Sequence, residues 1–166
     1  MKFTQNTLDK IVKILVVDDT RENIRLVRDI LEMLDYEVLE ARNGPQSIEL
    51  VLETQPDLVL LDVNMPGMDG HELLNQIKQK FPELPMMLIT AFGQVKMAVE
   101  AMQNGASDYL VKPFHQEEMM ARIRVLIRRA AGWSDSSLHC GPIVLEPSSQ
   151  RVMLSGEEVE LTAYEY

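Results

Sequence analysis

The stretch from Leu58 to Gly70 restricts the possible folds more than any other part of the chain. It opens with the apolar run Leu-Val-Leu-Leu, reaches Asp62, and then passes into Pro66 and Gly67. An apolar run of this length that ends in turn residues predicts a strand buried on both faces. Ligands of open α/β sheets bind at the carboxyl ends of such strands. Asp62 is therefore either part of a site or an ordinary turn residue.

Similar apolar runs recur along the chain and alternate with helical patterns. Strands are predicted at 13–17, 37–41, 58–62, 86–90 and 108–111, with a helix after each. Thr20 is the predicted N-cap of the first helix, and Met68 or Asp69 is the predicted start of the third. Strands that alternate with helices in this way predict a parallel sheet with right-handed crossovers. We assign residues 13–130 to this domain and residues 1–12 to a lead-in segment.

Four of the predicted strands end in residues that carry functional groups. These residues are Asp18 and Asp19, Asp62, Thr90 and Lys112. The carboxyl ends of parallel strands share one edge of a sheet, so we expect these side chains to converge. Three crowded carboxylates repel one another unless a cation joins them or their pKa values rise. Oxygen ligands with no His or Cys nearby in sequence favour Mg²⁺ or Mn²⁺ over zinc.

This set of residue types suits phosphoryl transfer. An Asp beside a cation and a Lys can act as a nucleophile toward phosphorus, which would make Asp62 an aspartyl-phosphate. Lys112 would neutralise charge on the transferring group, and Thr90 could donate a hydrogen bond to it.

Composition narrows the class of protein. The 166 residues carry a formal net charge of −10, which argues against a general polyanion-binding surface over this chain. Cys140 is the single cysteine of the sequence, so an intrachain disulfide is excluded. No stretch approaches the length of a membrane span or of a signal peptide. We expect a soluble cytoplasmic protein that does not bind membranes.

The character of the chain changes after Arg129. Residues 131–140 lack sustained periodicity and are predicted to be a linker. Short antiparallel strands are predicted at 143–145, 151–154 and 159–161, and a helix is predicted to begin after Thr162. We therefore expect part of a second domain at 141–166.

Four sequence blocks resemble the receiver domain of bacterial two-component response regulators. They are ILVVDD at 14–19, DVNMPGMDG at 62–70, ITA at 89–91 and GASDYLVKPF at 105–114. The resemblance covers about 13–129, with the blocks in family order. It implies a doubly wound, flavodoxin-like sheet of five parallel strands in the order 2-1-3-4-5. A short C-terminal antiparallel β segment would follow.

The resemblance also implies a role for each acidic residue. Asp62 is similar to the phosphoacceptor of the family. Asp18 and Asp19 correspond to the acidic pair that holds Mg²⁺, together with Asp62 and the backbone carbonyl of Asn64.

The remaining positions correspond to the switch and to the residues that assist transfer. Thr90 and Lys112 are implied to assist the reaction at Asp62. Thr90 and Tyr109 are implied to form the conformational switch. The bond between Lys112 and Pro113 is implied to be cis, a conformation that proline makes accessible.

The tail resembles the opening sheet of the winged-helix output domain of OmpR/PhoB-type regulators. The resemblance implies a cognate sensor histidine kinase and a homodimer through the fourth helix, the fifth strand and the last helix. DNA would be contacted only through elements that lie outside this chain. One departure is Ser107, which stands before Asp108 where these regulators usually carry paired acidic residues.

Three functions remain open at this point. The first is a phosphorylation-dependent transcriptional regulator, which is not an enzyme beyond its own phosphorylation and dephosphorylation at Asp62. The second is a receiver that relays phosphate or binds proteins without binding DNA. The third, a hydrolase of external phosphate esters, is disfavoured because no further acid–base residue closely follows Asp62.

Overall fold

A computed structural model describes residues 11–67, 69–91 and 93–131, and the backbone of 138–140, 143–146, 151–154 and 157–159. The chain divides into two compact units between Ala130 and Ala131. Each unit is described by itself.

The first unit contains an open sheet of five parallel strands with a helix after each strand. The strand order is β2-β1-β3-β4-β5, which confirms the predicted topology. The strands are β1 (Lys13–Val17), β2 (Glu37–Ala41), β3 (Leu58–Asp62), β4 (Met86–Thr90) and β5 (Asp108–Val111). The helices are α1 (Arg21–Glu32), α2 (Gly44–Thr54), α3 (Gly70–Lys80), α4 (Val95–Gln103) and α5 (Gln116–Ala130).

The helices cover both faces of the sheet. Residues of α1 and α5 pack on one face, and residues of α2, α3 and α4 pack on the other. Every residue of β3 and β4 is buried, as expected for central strands covered on both sides. This arrangement leaves the strand ends as the place where polar side chains can reach solvent.

One helix start differs from the prediction, and one predicted cap makes no capping hydrogen bond. The third helix begins at Gly70, because the Asp69 side chain caps it by accepting the backbone N–H of His71 at 2.9 Å. Thr20 does occupy the N-cap position of α1, but its side chain makes no capping hydrogen bond. Its hydroxyl is directed instead toward Asp19 Oδ1 at 3.4 Å. A cap depends on the rotamer as well as the residue type.

The first residue of α3 lies tightly against the end of β3. A Cβ atom on Gly70 would lie 2.6 Å from Val63 Cα and 3.2 Å from the carbonyl oxygen of Asp62. Both neighbours are backbone atoms, so they cannot move aside by changing a rotamer. Glycine at position 70 therefore allows the helix to start beside the candidate site.

We expect Gly70→Ala to lower the free energy of unfolding by about 1–3 kcal/mol, the usual cost of overpacking a tight site. Urea denaturation of the two proteins measures the difference. Asn75→Ala on an exposed position of α3 is the control and should change stability by less than about 0.5 kcal/mol. Equal stability of Gly70→Ala and the unsubstituted chain would contradict the tight contact.

The second unit contains a four-stranded antiparallel sheet in the order β6-β7-β8-β9. Its strands are β6 (Leu138–Cys140), β7 (Ile143–Glu146), β8 (Arg151–Leu154) and β9 (Glu157–Val159). The strands predicted at 143–145 and 151–154 are present, and the third predicted strand overlaps β9 at Val159. The prediction missed β6, which falls within the stretch assigned to the linker. Three residues show no periodicity, so pairing with β7 defines this strand.

Some predictions lie outside the described residues, namely the lead-in up to residue 10, the linker residues 132–137 and the helix after Thr162. In the described part of the chain, no helix has the length and apolar character needed to cross a membrane.

Candidate functional site

Three of the predicted site residues meet at the carboxyl edge of the sheet. The Lys112 ammonium lies 2.8 Å from Asp62 Oδ2 and 3.7 Å from Asp18 Oδ2. Asp62 ends β3, Asp18 follows β1, and Lys112 follows β5, so the contacts join residues far apart in sequence. The two aspartate side chains are each 8% exposed, and the lysine side chain is 31% exposed. One partly exposed cation therefore bridges two buried carboxylates.

The second carboxylate oxygen of Asp62 is held by the chain that follows it. The backbone N–H of Asn64 donates to Asp62 Oδ1 at 2.8 Å. Lys112 and Asn64 thus hold one oxygen each, which restricts the rotation of the carboxylate. A carboxylate held in this way suits a reaction that requires a defined direction of approach.

The Asp18 carboxylate lies in an unfavourable electrostatic environment. Its pKa is raised from the ordinary value of 3.8, chiefly by burial and also by the neighbouring Asp62. The backbone N–H of Thr20 and the side chain of Asn23 donate to it and partly offset the increase. The pair of aspartates therefore has more negative charge than Lys112 balances.

The donor set of this edge suits a hard divalent cation. The available atoms are carboxylate oxygens, and a second positive charge would relieve the repulsion that raises the pKa of Asp18. Within the described ranges, however, no three His, Cys, Asp or Glu side chains form a group that could hold a metal ion. The Asp19 side chain contacts the Thr20 hydroxyl at 3.4 Å. The assignment of Asp19 as a ligand stays a prediction.

Two further residues beside the acidic pair were missed by the sequence analysis. Asn23 donates through Nδ2 to both Asp18 oxygens, at 3.3 and 3.1 Å. Arg42 donates to the carbonyl oxygen of Asp19 at 3.2 Å. Asn23 could have been found as an amide in the first turn of the helix that follows the acidic pair. Arg42 follows β2, and no motif marks its contact.

Thr90 ends β4 and is fully buried. The hydrogen bond described for its side chain joins it to Asn64 and not to Asp62. Its hydroxyl donates to Asn64 Oδ1 at 3.0 Å, and the backbone N–H of Ala91 donates to the same oxygen at 3.1 Å. The sequence predicted a role for the backbone carbonyl of Asn64 and missed its side chain.

The two remaining predicted features lie on and after β5. Tyr109 is half-buried and packs against the core on the side of α2, α3 and α4. The Lys112–Pro113 peptide bond is cis, which confirms the prediction. A cavity of about 300 Å³ opens beside the site and is lined by Asp18, Asp62 and Lys112 together with apolar residues that include Leu26 and Phe114.

The surface formed by α4, β5 and α5 carries both exposed apolar side chains and intrachain ion pairs. Arg122 on α5 lies 2.8 Å from Asp108 and 3.0 Å from Glu118. The Ser107 hydroxyl, at the departure from the family pattern, accepts the backbone N–H of Met86 at 3.1 Å. Exposed apolar residues on α4 and β5 are Val95, Val99, Met102 and Val111.

With this geometry established, comparison with known proteins decides the family. The family model described as the response regulator receiver domain matches residues 14–124. The chain belongs to this family. Its receiver domain has the fold of a CheY-like receiver protein from Methanospirillum hungatei JF-1, with a TM-score of 0.71 at 24% identity over 75% of this chain and 100% of that chain.

Curated relatives of the receiver chain include transcriptional regulators. It is 35% identical over 156 residues to the phosphate regulon transcriptional regulatory protein PhoB of Pseudomonas aeruginosa. The matched region covers 92% of this chain and 68% of PhoB. It is 40% identical over 141 residues to the response regulator protein FleR of the same organism. The matched region covers 85% of this chain and 29% of FleR. The receiver chain thus spans about two thirds of one relative and less than a third of the other.

Proposed function

We propose that this receiver domain accepts a phosphoryl group on Asp62 from a cognate sensor histidine kinase, in a Mg²⁺-dependent reaction that controls a DNA-binding output. The observation that carries the proposal is the contact of the Lys112 ammonium with Asp62 at the buried end of β3, beside Asp18, which follows β1. A carboxylate held between a cation and a backbone N–H suits in-line attack on phosphorus better than acid–base work.

In the reaction, a carboxylate oxygen of Asp62 attacks the phosphorus of a phosphohistidine or an acyl phosphate. A new oxygen–phosphorus bond forms while the bond from phosphorus to the donor's nitrogen or oxygen breaks, and the leaving group takes the electron pair. The Lys112 ammonium offsets negative charge on the transferring group. The Asn64 N–H keeps the Asp62 carboxylate oriented, and the Thr90 hydroxyl is available as a donor to a phosphoryl oxygen after it leaves Asn64.

The residues that would hold Mg²⁺ are Asp18, Asp19, Asp62 and the backbone carbonyl of Asn64, and the same oxygen donors accept Mn²⁺. Bound there, the cation would supply positive charge that offsets the charge of the transferring group. The excess negative charge at Asp18 and Asp62 supports this assignment.

The output is the second part of the proposal. Relatives named as transcriptional regulators, including PhoB, ResD of Bacillus subtilis and CpxR of Escherichia coli, support a regulator that works in the cytoplasm and is not an enzyme with an external substrate. The exposed Val95, Val99 and Met102 on α4 support a homodimer through α4, β5 and α5. DNA contact would come from winged-helix elements beyond this chain. The gene sequence after Tyr166 separates this proposal from a relay without DNA binding.

Incubation with acetyl phosphate and Mg²⁺, followed by intact mass measurement, tests the proposal. We expect one phosphoryl group per chain, and borohydride trapping should place it on the peptide that contains Asp62. Addition of EDTA should prevent the modification. Labelling that is unaffected by EDTA, or that maps to another peptide, would overturn the assignment.

A further inference from the structure

The carboxamide of Asn64 joins the loop after the candidate acceptor to the end of the neighbouring strand. Its Oδ1 atom accepts the Thr90 hydroxyl at 3.0 Å and the Ala91 backbone N–H at 3.1 Å. Its own backbone N–H donates to Asp62 Oδ1 at 2.8 Å. A single residue therefore contacts Asp62 through its backbone and the end of β4 through its side chain.

The orientation of this carboxamide follows from its partners. A backbone N–H can only donate, so the atom that it meets must be the carboxamide oxygen and not the nitrogen. With the oxygen so placed, the Thr90 hydroxyl can donate to it as well. Both donors at the end of β4 are then directed to Asn64 in the unphosphorylated domain.

These two donors lie on the strand next to Asp62. A phosphoryl group on Asp62 would bring new acceptor oxygens to this edge, and the Thr90 hydroxyl has one proton to donate. It cannot serve Asn64 Oδ1 and a phosphoryl oxygen equally well. The bond between Thr90 and Asn64 must therefore weaken or break when Thr90 turns to the phosphoryl group.

We propose that the Asn64 carboxamide is a latch that holds the Thr90 hydroxyl and the Ala91 N–H in the unphosphorylated state. The latch opposes the movement of Thr90. Part of the free energy gained when Thr90 contacts the phosphoryl group is therefore offset by the loss of its hydrogen bond to Asn64. Asn64 is a positioning residue in this role, because it acts through Thr90 and Ala91. The proposal rests on the proposed function for its effect on phosphorylation, but the contacts themselves do not.

The first test uses the unphosphorylated, metal-free chain. In Asn64→Ala the Ala91 amide loses its acceptor. We expect the hydrogen exchange of this amide, measured by NMR, to become about tenfold faster, which corresponds to the net free energy of one hydrogen bond. Asn64→Asp retains a side-chain oxygen that can accept both donors, so Ala91 exchange should stay close to that of the unsubstituted chain. Asn75→Ala on the exposed face of α3 is the matched control and should leave Ala91 exchange unchanged.

The second test measures the affinity for beryllofluoride, an analogue of the phosphoryl group, at saturating Mg²⁺. Loss of the latch should increase the affinity of Asn64→Ala by about fivefold to tenfold. A parallel titration with Mg²⁺ alone shows how far the substitution alters metal binding, so that the two effects are measured separately. Asn75→Ala should match the unsubstituted chain in both titrations.

The outcomes separate the latch from other roles of Asn64. Faster Ala91 exchange together with tighter beryllofluoride binding supports it. Unchanged Ala91 exchange overturns it, and so does beryllofluoride binding that is unchanged or weaker, since weaker binding would mean that Asn64 contacts the phosphoryl group itself. If the unsubstituted chain binds no beryllofluoride, the proposed function fails, while the Ala91 comparison still decides whether Asn64 holds the end of β4.

Discussion

Asp62→Asn is expected to abolish the Mg²⁺-dependent phosphorylation of the chain by acetyl phosphate. The carboxamide has nearly the same shape as the carboxylate and can still accept the Asn64 N–H through Oδ1. It lacks the anionic oxygen that would attack phosphorus, and it loses the ion pair with Lys112, which lies 2.8 Å away in the structure. Intact mass measurement after incubation with the phosphodonor checks the result.

Asp69→Asn provides the matched control for this experiment. Asp69 is exposed and lies seven positions after Asp62, where its side chain caps α3. Asparagine is an equally good N-cap, so the helix should keep its start. The control should be phosphorylated like the unsubstituted chain. Labelling of Asp62→Asn to the same extent, or loss of labelling in Asp69→Asn, would contradict the assignment of the acceptor.

Asp18→Asn is expected to have opposite effects on the stability of the domain and on its response to Mg²⁺. Ionised Asp18 is costly in the metal-free domain, because burial and Asp62 raise its pKa. Asparagine removes this charge and can still accept the Thr20 N–H. In EDTA at neutral pH the melting temperature should therefore rise by about 3–5 °C, the shift that about 1 kcal/mol causes in a domain of this size.

The pH dependence of this gain has a definite sign. A carboxyl group with a raised pKa in the folded state stabilises the fold fully below its unfolded-state pKa and loses that contribution as the pH rises through the folded-state pKa. The advantage of Asp18→Asn should accordingly be absent below about pH 3.8 and should grow above it. Thermal melts in EDTA across this range measure it. Asp29→Asn, an exposed substitution on α1, should show no such trend.

In saturating Mg²⁺ the unsubstituted domain should have a higher melting temperature than Asp18→Asn, the reverse of the order in EDTA. A ligand at 100 times its Kd stabilises the folded state by about 2.7 kcal/mol. The unsubstituted domain should gain stability of this order, whereas Asp18→Asn should gain much less because it lacks one of the carboxylates expected to hold the ion. Equal gains in both proteins would exclude Asp18 as a ligand.

Much of the scaffold could be predicted because its signals are local. The bounds predicted for β1 to β5 agree with those observed, since most of these strands are short apolar runs with polar or turn residues beside them. Gly105 directly follows the C-cap of α4 and has a φ of +97°, which a residue without Cβ adopts without strain. The three-residue β6 was missed because its assignment depends on a partner strand.

The sequence by itself determined that Asp18, Asp62, Thr90 and Lys112 share one edge, because parallel strands place their carboxyl ends together. Tertiary structure alone decided which of them touch. Lys112 bridges Asp62 and Asp18, whereas the Thr90 hydroxyl donates to Asn64, across 26 positions of sequence. Strand position is set by local patterns, but a hydrogen-bond partner is chosen by competition among acceptors that only folding brings within reach.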